Sequence, residues 1–432
     1  MSTLAFTWMF VLALVVSAGL RAWLAARQIR HVAAHRDAVP PAFADRVGLA
    51  SHKRAAAYTI ARTRLGLVDD LVSTGVVVVL VLLGGLQWLH DLVGGALAAQ
   101  PMVGQIVFVL AVTLLTSVVA IPLAWYRQFR LERRFGFNRM SPALFLADIG
   151  RNLVVGLVLG VPLLWAILAL MRGAGDNWWL YAWLVWVGFN MLVLYAYPTI
   201  IAPLFNRFEP LPDGGVRERV ENLLARCGFA SKGLFVMDGS KRSAHGNAYF
   251  TGFGRAKRIV FFDTLLERLD APEIEAVLAH ELGHFRHRHV LRRMAISFAL
   301  SAAGLWLLGW LATRPWFYQG LGLTPMPALM DAAALVLFFI ALPVFTFPLG
   351  PLASLMSRRD EFQADAFAAS HADGSALVAA LVKLYQDNAS TLTPDPVHSV
   401  FYDSHPPAAV RIGRLRALLS PTAPPGPEAN PS

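Results

Sequence analysis

Two histidines four residues apart, with a glutamate beside the first, are the residues of this chain best suited to metal chemistry: His280-Glu281-Leu282-Gly283-His284. On a helix, positions i and i+4 share a face, so His280 and His284 can hold one metal ion while Glu281 reaches a water that would attack a peptide carbonyl. That is the arrangement of a metal-assisted peptidase. A third protein ligand is then required, because catalytic zinc usually takes three and leaves a fourth position open. Glu361 and Asp365, four apart in Asp360-Glu361-Phe362-Gln363-Ala364-Asp365, offer two readings. Either Glu361 ligates while Asp365 accepts the ring N–H of a ligand histidine, or the pair is a solvated acidic face balanced by Arg358 and Arg359. His405, in Ser404-His405-Pro406-Pro407, is a turn residue or a rigidly held donor to an oxyanion. His287 and His289, among Arg288, Arg292 and Arg293, read as an interfacial anchor. On a continuous helix His289 points away from the metal, and His287 lies about two turns, roughly 10 Å, from His280.

The metal pair needs a helix, and the residues before it supply one. Asp270-Ala271-Pro272-Glu273 provides a capping residue, an early proline and an acidic first turn. Ahead of it, residues 233–237, 248–253 and 258–262 are apolar and aromatic runs punctuated by turns, read as two or three short strands, and residues 216–226 read as a helix after a turn-rich entrance at 203–214.

The remaining chain is read as membrane. Of 432 residues 56% are hydrophobic and 15% charged, against roughly a quarter charged in soluble domains. About seven apolar runs, at residues 4–24, 71–97, 106–125, 153–170, 178–196, 294–312 and 333–356, are long enough to cross a bilayer. No basic residue precedes the first run, which reads as an uncleaved anchor. Arg21, Arg27, Arg30, Arg46, Lys53, Arg62 and Arg64 crowd its end and the first long loop, and Arg127, Arg130, Arg133 and Arg134 follow the third run. The positive-inside rule places these segments, residues 200–293 and the C-terminal region in the cytoplasm, with the N-terminus outside. That asymmetry accounts for the net charge of +10 without nucleic acid, for which no motif is present. The loop after the first run reads as amphipathic helices on the membrane surface. Glu132-Arg133-Arg134-Phe135-Gly136-Phe137-Asn138 reads as a juxtamembrane turn, Asp148 and Arg151 as a pair one turn apart, and Cys227 as a packing residue. Pro343, Pro348 and Pro351 predict a kink in the seventh run.

The division expected is five membrane helices in residues 1–199, the first part of a peptidase domain in 200–293, two more helices in 294–356, its second part in 357–419, and a disordered tail in 420–432. The fold class is mainly α, polytopic, with a small α+β zinc-peptidase domain. Transport would call for repeated spans or mid-membrane charges, which are not seen, and a non-catalytic scaffold would not need Glu281.

Several separated stretches together resemble the type I CAAX prenyl endopeptidases, integral-membrane zinc metalloproteases. They are the metal motif, Glu361-Phe362-Gln363-Ala364-Asp365, Ser404-His405-Pro406-Pro407 with Arg411, Gly136-Phe137-Asn138, Ile201-Ala202-Pro203-Leu204-Phe205-Asn206, Asp238-Gly239-Ser240-Lys241-Arg242-Ser243 and Asn247-Ala248-Tyr249-Phe250. The resemblance implies a gluzincin-like site with one zinc per chain held by His280, His284 and Glu361. Glu281 would be general base, Asp365 a partner in catalysis, and Asn247, Tyr249, His405 and Arg411 contacts to the substrate or oxyanion. It also implies a chamber inside the helices and peptide or protein substrates, prenylated or membrane-associated, beside the surrounding lipids. In a bacterium the inner membrane would be its place. Ala244 and Gly246 stand where the family more often shows serines, a departure that bears on substrate contacts and not on the metal. A heat-shock peptidase of the HtpX type shares the zinc motif and is the alternative, with fewer spans and fewer of these motifs.

Overall fold

The computed structural model describes residues 1–229, 233–251 and 258–420. The N-terminal part is helical: α1 (Thr3–Ala34), α2 (Leu49–Val77), α3 (Gly85–Ala96), α4 (Pro101–Tyr126), α5 (Pro142–Gly173) and α6 (Trp178–Ala196). Wider π-type turns extend α2 over Val78–Leu82, α4 over Arg127–Glu132 and α6 over Tyr197–Ile201. Seven helices among the described residues are long and apolar enough to cross a membrane. In Pro142–Gly173 and Gly175–Leu204 only 6% and 0% of the most apolar window is buried by protein, so those surfaces need lipid.

The run at residues 71–97 is not one span. The helix that serves as the second span begins at Leu49 and stops at Leu82; Gly84 then takes φ +79°, open to glycine without steric cost, and α3 starts afresh at Gly85. The polar stretch before residue 71 therefore does not lie on the membrane surface. It is the first half of α2, packed against α1, with Tyr58 donating to Glu132 (2.8 Å) at the end of α4. Arg54 and Tyr58 face protein partners there.

A small mixed lobe follows α6. It comprises β1 (Phe208–Pro210), α7 (Gly215–Arg226), β2 (Leu234–Met237), β3 (Ala248–Thr251), β4 (Arg258–Phe262), α8 (Asp263–Leu266) and α9 (Ala271–Arg286). The strands order as β1-β2-β4-β3, with β2 and β4 parallel and the outer pairs antiparallel. The expected strand at 248–253 is described to Thr251 and its last two residues lie outside the described residues, as does the tail from residue 421. The turn-rich entrance contributes β1, a strand too short to show a period of its own.

The chain then returns through the bundle as α10 (His289–Ala312), α11 (Pro315–Gly320) and α12 (Met330–Thr346). α12 is the centre of the apolar core, with Phe10, Phe108, Leu168 and Leu308 packed into the same cluster. Pro343, Pro348 and Pro351 mark a break, a 3-10 turn at Phe347–Leu349, after which α13 (Gly350–His371) enters the lobe. It is completed by α14 (Gly374–Asp387), α15 (Pro396–Tyr402) and α16 (Ala408–Leu419).

α9 and α13 meet at Gly283. A Cβ there would sit 2.8 Å from Ala364 Cα and 3.1 Å from Phe367 Cβ, so only a residue without a side chain lets the two helices approach this closely. Gly283→Ala is expected to cost about 1–3 kcal/mol by overpacking. The control is Gly150→Ala, whose added methyl meets nothing within 4 Å. Thermal unfolding in detergent should show a lower midpoint for the first variant only; equal midpoints would mean that the contact carries no strain.

Candidate metal centre and active site

α9 presents His280 and His284 one turn apart, and the close approach at Gly283 brings Glu361 of α13 against both. The Nε2 atoms of the two histidines are 3.2 Å apart, and the Glu361 oxygens lie 3.4 Å from His280 Nε2 and 3.3 Å from His284 Nε2. Ligand atoms about 2.0–2.1 Å from a tetrahedral ion stand roughly 3.3–3.4 Å from one another, so the three residues fit a single metal. Glu361 Oε2 is buried and receives no hydrogen bond, a deficit that a cation removes. With Glu361 and Asp365 each 3% exposed, this face of α13 is not solvated.

Each histidine is held from behind. Asp365 Oδ1 lies 2.9 Å from His280 Nδ1 and so accepts that N–H, leaving Nε2 for the metal. Arg411, buried on α16, donates from Nε and Nη2 to Asp365 at 2.9 and 2.6 Å. On the other ligand, His284 Nδ1 shares a hydrogen bond of 3.0 Å with His289 Nδ1, and His289 Nε2 lies 2.9 Å from Gln363 Oε1. The expectation that His289 points away is overturned because the helix is not continuous. α9 ends at Arg286, Arg288 adopts φ +55°, and α10 sets off in a new direction with His289 turned back. Asp360 lies below, paired with Arg292 and Arg293.

Glu281 faces a cavity of about 790 Å³ that reaches from the metal ligands to α1 and α2. Burial pushes its carboxyl above the usual range, the direction that makes a carboxylate a better base. His405 and Asn247 line the same cavity. His405 Nε2 is 3.4 Å from Glu361 Oε1, and its Nδ1 is 2.9 Å from Ser404 Oγ. Asn247 Oδ1 accepts from the Ala248 N–H at 2.9 Å, which leaves the side-chain amide group to donate. Tyr249 is not brought to this site: it lines a separate pocket of about 190 Å³ with Phe235 and Pro203.

The match to known proteins covers nearly all of this architecture. A family model for the CAAX prenyl protease N-terminal region, five membrane helices, matches residues 28–207, and one for peptidase family M48 matches residues 210–419. The CAAX prenyl protease 1 homolog of Arabidopsis thaliana is 33% identical, over 85% of this chain and 87% of its own length. CAAX prenyl protease 1 of Saccharomyces cerevisiae is 34% identical over 70% and 69%. The chain belongs to peptidase family M48. The crystal structure of S. mikatae Ste24p superposes with a TM-score of 0.89 at 27% identity, covering 95% of this chain and 99% of that one. This M48 member is accordingly a multi-pass membrane metalloendopeptidase, and the HtpX-type alternative is not favoured.

In this peptidase the stretch Glu132–Asn138 is more than a juxtamembrane turn. Asn138 forms a β-bridge with Ser243, Ala244 N–H donates to Phe137 O, and the Phe137 ring stacks on His245 with centroids 4.4 Å apart. Asp148, beyond its expected pair with Arg151 (2.9 Å), takes the Arg242 guanidinium through both oxygens at 2.8 and 3.0 Å. The membrane helices thus clamp the segment leading into Asn247. Single-residue spacing gives no sign of this, since the partners lie about a hundred positions apart.

Proposed function

We propose that this M48 peptidase binds one zinc ion through His280, His284 and Glu361 and cuts peptides near a lipid-modified C-terminus. The observation that carries the reading is a convergent ligand set at one wall of a cavity whose other wall is α1 and α2. Zinc, when bound, supplies Lewis-acid chemistry that acidifies water and polarises the peptide carbonyl. The protein does the rest. A Glu281 carboxylate oxygen takes the proton of the attacking water and delivers it to the departing amide nitrogen. Ser404 Oγ–H donating to His405 Nδ1 leaves Nε2–H free to donate to the developing oxyanion, together with the Asn247 amide. Asp365, oriented by Arg411, fixes the tautomer of His280. Arg411 acts here through Asp365 rather than on substrate.

β3 is bonded only to β4 among the described residues and follows directly on Asn247, so an extended substrate can add to its open edge. Relatives named CAAX prenyl protease support a prenylated C-terminal segment as the substrate class. Arg27 on α1 bonds Asp395 of the lobe, Arg54 on α2 bonds Phe135 O after α4, and the lobe's Arg242 bonds Asp148 at the start of α5, so basic residues gather where the membrane helices meet the lobe. That arrangement supports a cytoplasmic lobe and C-terminus with the N-terminus outside, in the inner membrane of a bacterial cell. One assay tests activity and orientation together. Inside-out vesicles carrying the protein should cleave an added farnesylated peptide at the modified cysteine, and sealed right-side-out vesicles should not; equal cleavage would refute the orientation, and none after detergent release the substrate class.

A further inference from the structure

Five charged side chains line the cavity among the described residues, Arg62, Asp70, Glu281, Asp403 and Arg411, and two of them are matched. Asp70 pairs with Arg21 at 3.2 Å, and Arg411 is committed to Asp365 and lies 3.6 Å from Glu361. Arg62 is different. It stands on the face of α2 that lines the cavity, between Thr59 and Thr63, and makes no hydrogen bond or ion pair among the described residues. Glu132, which feels its charge, is held instead by Tyr58 at 2.8 Å and by His245 at 3.8 Å. Thr63 gives its hydroxyl proton to Thr59 O at 2.8 Å, whereas the Thr59 hydroxyl makes no hydrogen bond among the described residues.

A guanidinium fork with a free hydroxyl one turn away is donor-only recognition, and the group it fits is a carboxylate. The opposite wall carries Glu281, and Asp403, whose carboxylate has no partner among the described residues, also belongs to the lobe side of the cavity. An anionic chain end is therefore repelled from the catalytic side and attracted to α2. The volume, about 790 Å³, is that of a ligand pocket, in the range of roughly 300–1,000 Å³, and admits the end of a peptide rather than a folded chain.

We propose that Arg62 and the Thr59 hydroxyl form the subsite for the free terminal carboxylate of the peptide being cut, so that the enzyme measures its cleavage site from the C-terminus. The proposal rests on the C-terminal reading above and deepens it. Recognition through one charge-assisted pair is worth about 10- to 100-fold in kcat/KM.

The test uses the detergent-solubilised full chain and two fluorogenic peptides identical except for a terminal carboxylate or a carboxamide. The carboxylate peptide should be preferred by about 10- to 100-fold, chiefly through KM. Arg62→Gln should bring the ratio toward one and Arg62→Lys should restore part of it. Arg64→Gln, on the same helix but outside the cavity, should keep the full preference. A ratio near one in the unaltered protein, or a preference that survives Arg62→Gln, overturns the subsite. Mass-spectrometric mapping of the cut separately decides whether cleavage is C-terminal at all. Should neither peptide be cut, calorimetric binding of the short C-terminal product to Glu281→Gln protein replaces turnover: binding lost with the carboxamide and with added Arg62→Gln supports the subsite, and equal binding overturns it.

Discussion

Glu281→Gln protein should carry as much zinc as the unaltered chain and yet cleave peptides at least about 10³- to 10⁴-fold more slowly, the upper part of the range for a general base. The two halves of this result come from different geometry. Metal content depends on His280, His284 and Glu361, whose ligand atoms converge without help from position 281. Turnover depends on a carboxylate facing the cavity, and an amide of the same shape cannot accept a proton. The Glu281 side chain has no hydrogen bond or ion pair among the described residues, so an amide of the same shape breaks none. Metal analysis and peptide hydrolysis on one preparation make the comparison. Near-normal turnover by fully loaded Glu281→Gln protein would remove this residue from the mechanism.

Loss of ligands should act on the metal itself. The His280→Ala/His284→Ala double variant is expected to bind essentially no zinc, and Glu361→Gln to lose more than the roughly 10- to 100-fold typical of changing an outer partner such as Asp365. A neutral amide offers a poorer oxygen and leaves the buried cluster around Arg411 one negative charge short. Competition with a chelating dye measures the affinities, and circular dichroism confirms that each variant is folded. Full zinc retention by the folded double variant would place the metal elsewhere.

The parts of this molecule that could be read from sequence are those encoded at short range. His280 and His284 share a helical turn, Glu361 and Asp365 share another, and the apolar runs announce the spans by length alone. On spacing alone Glu361 is open between ligand and solvated face, because only the approach of α13 to α9 at Gly283 buries it against the two histidines. A continuous helix would turn His289 away, but the chain turns at Arg288, a non-glycine residue in the left-handed region that no sequence pattern marks. The start of α2 at Leu49 was missed because the hydropathy signal begins only where lipid does, while the helix runs on into protein. Tyr249 belongs to the motif by position in the sequence, but in the structure it lines a pocket with Phe235 and not the cavity that Asn247 lines.

The helix contact at Gly283 joins two pieces of chain that leave the ribosome at different times. Between His284 and Glu361 come α10 and α12, both of which must be threaded into the bilayer before α13 can turn back to the lobe. At ~5–20 residues per second that interval is roughly 4–15 s, during which the nascent chain holds two ligands and lacks the third. On the proposed zinc set, a protease born in the membrane among other unfinished proteins would be inert until its own insertion is complete. The arrival of Glu361 would then be its integrity check.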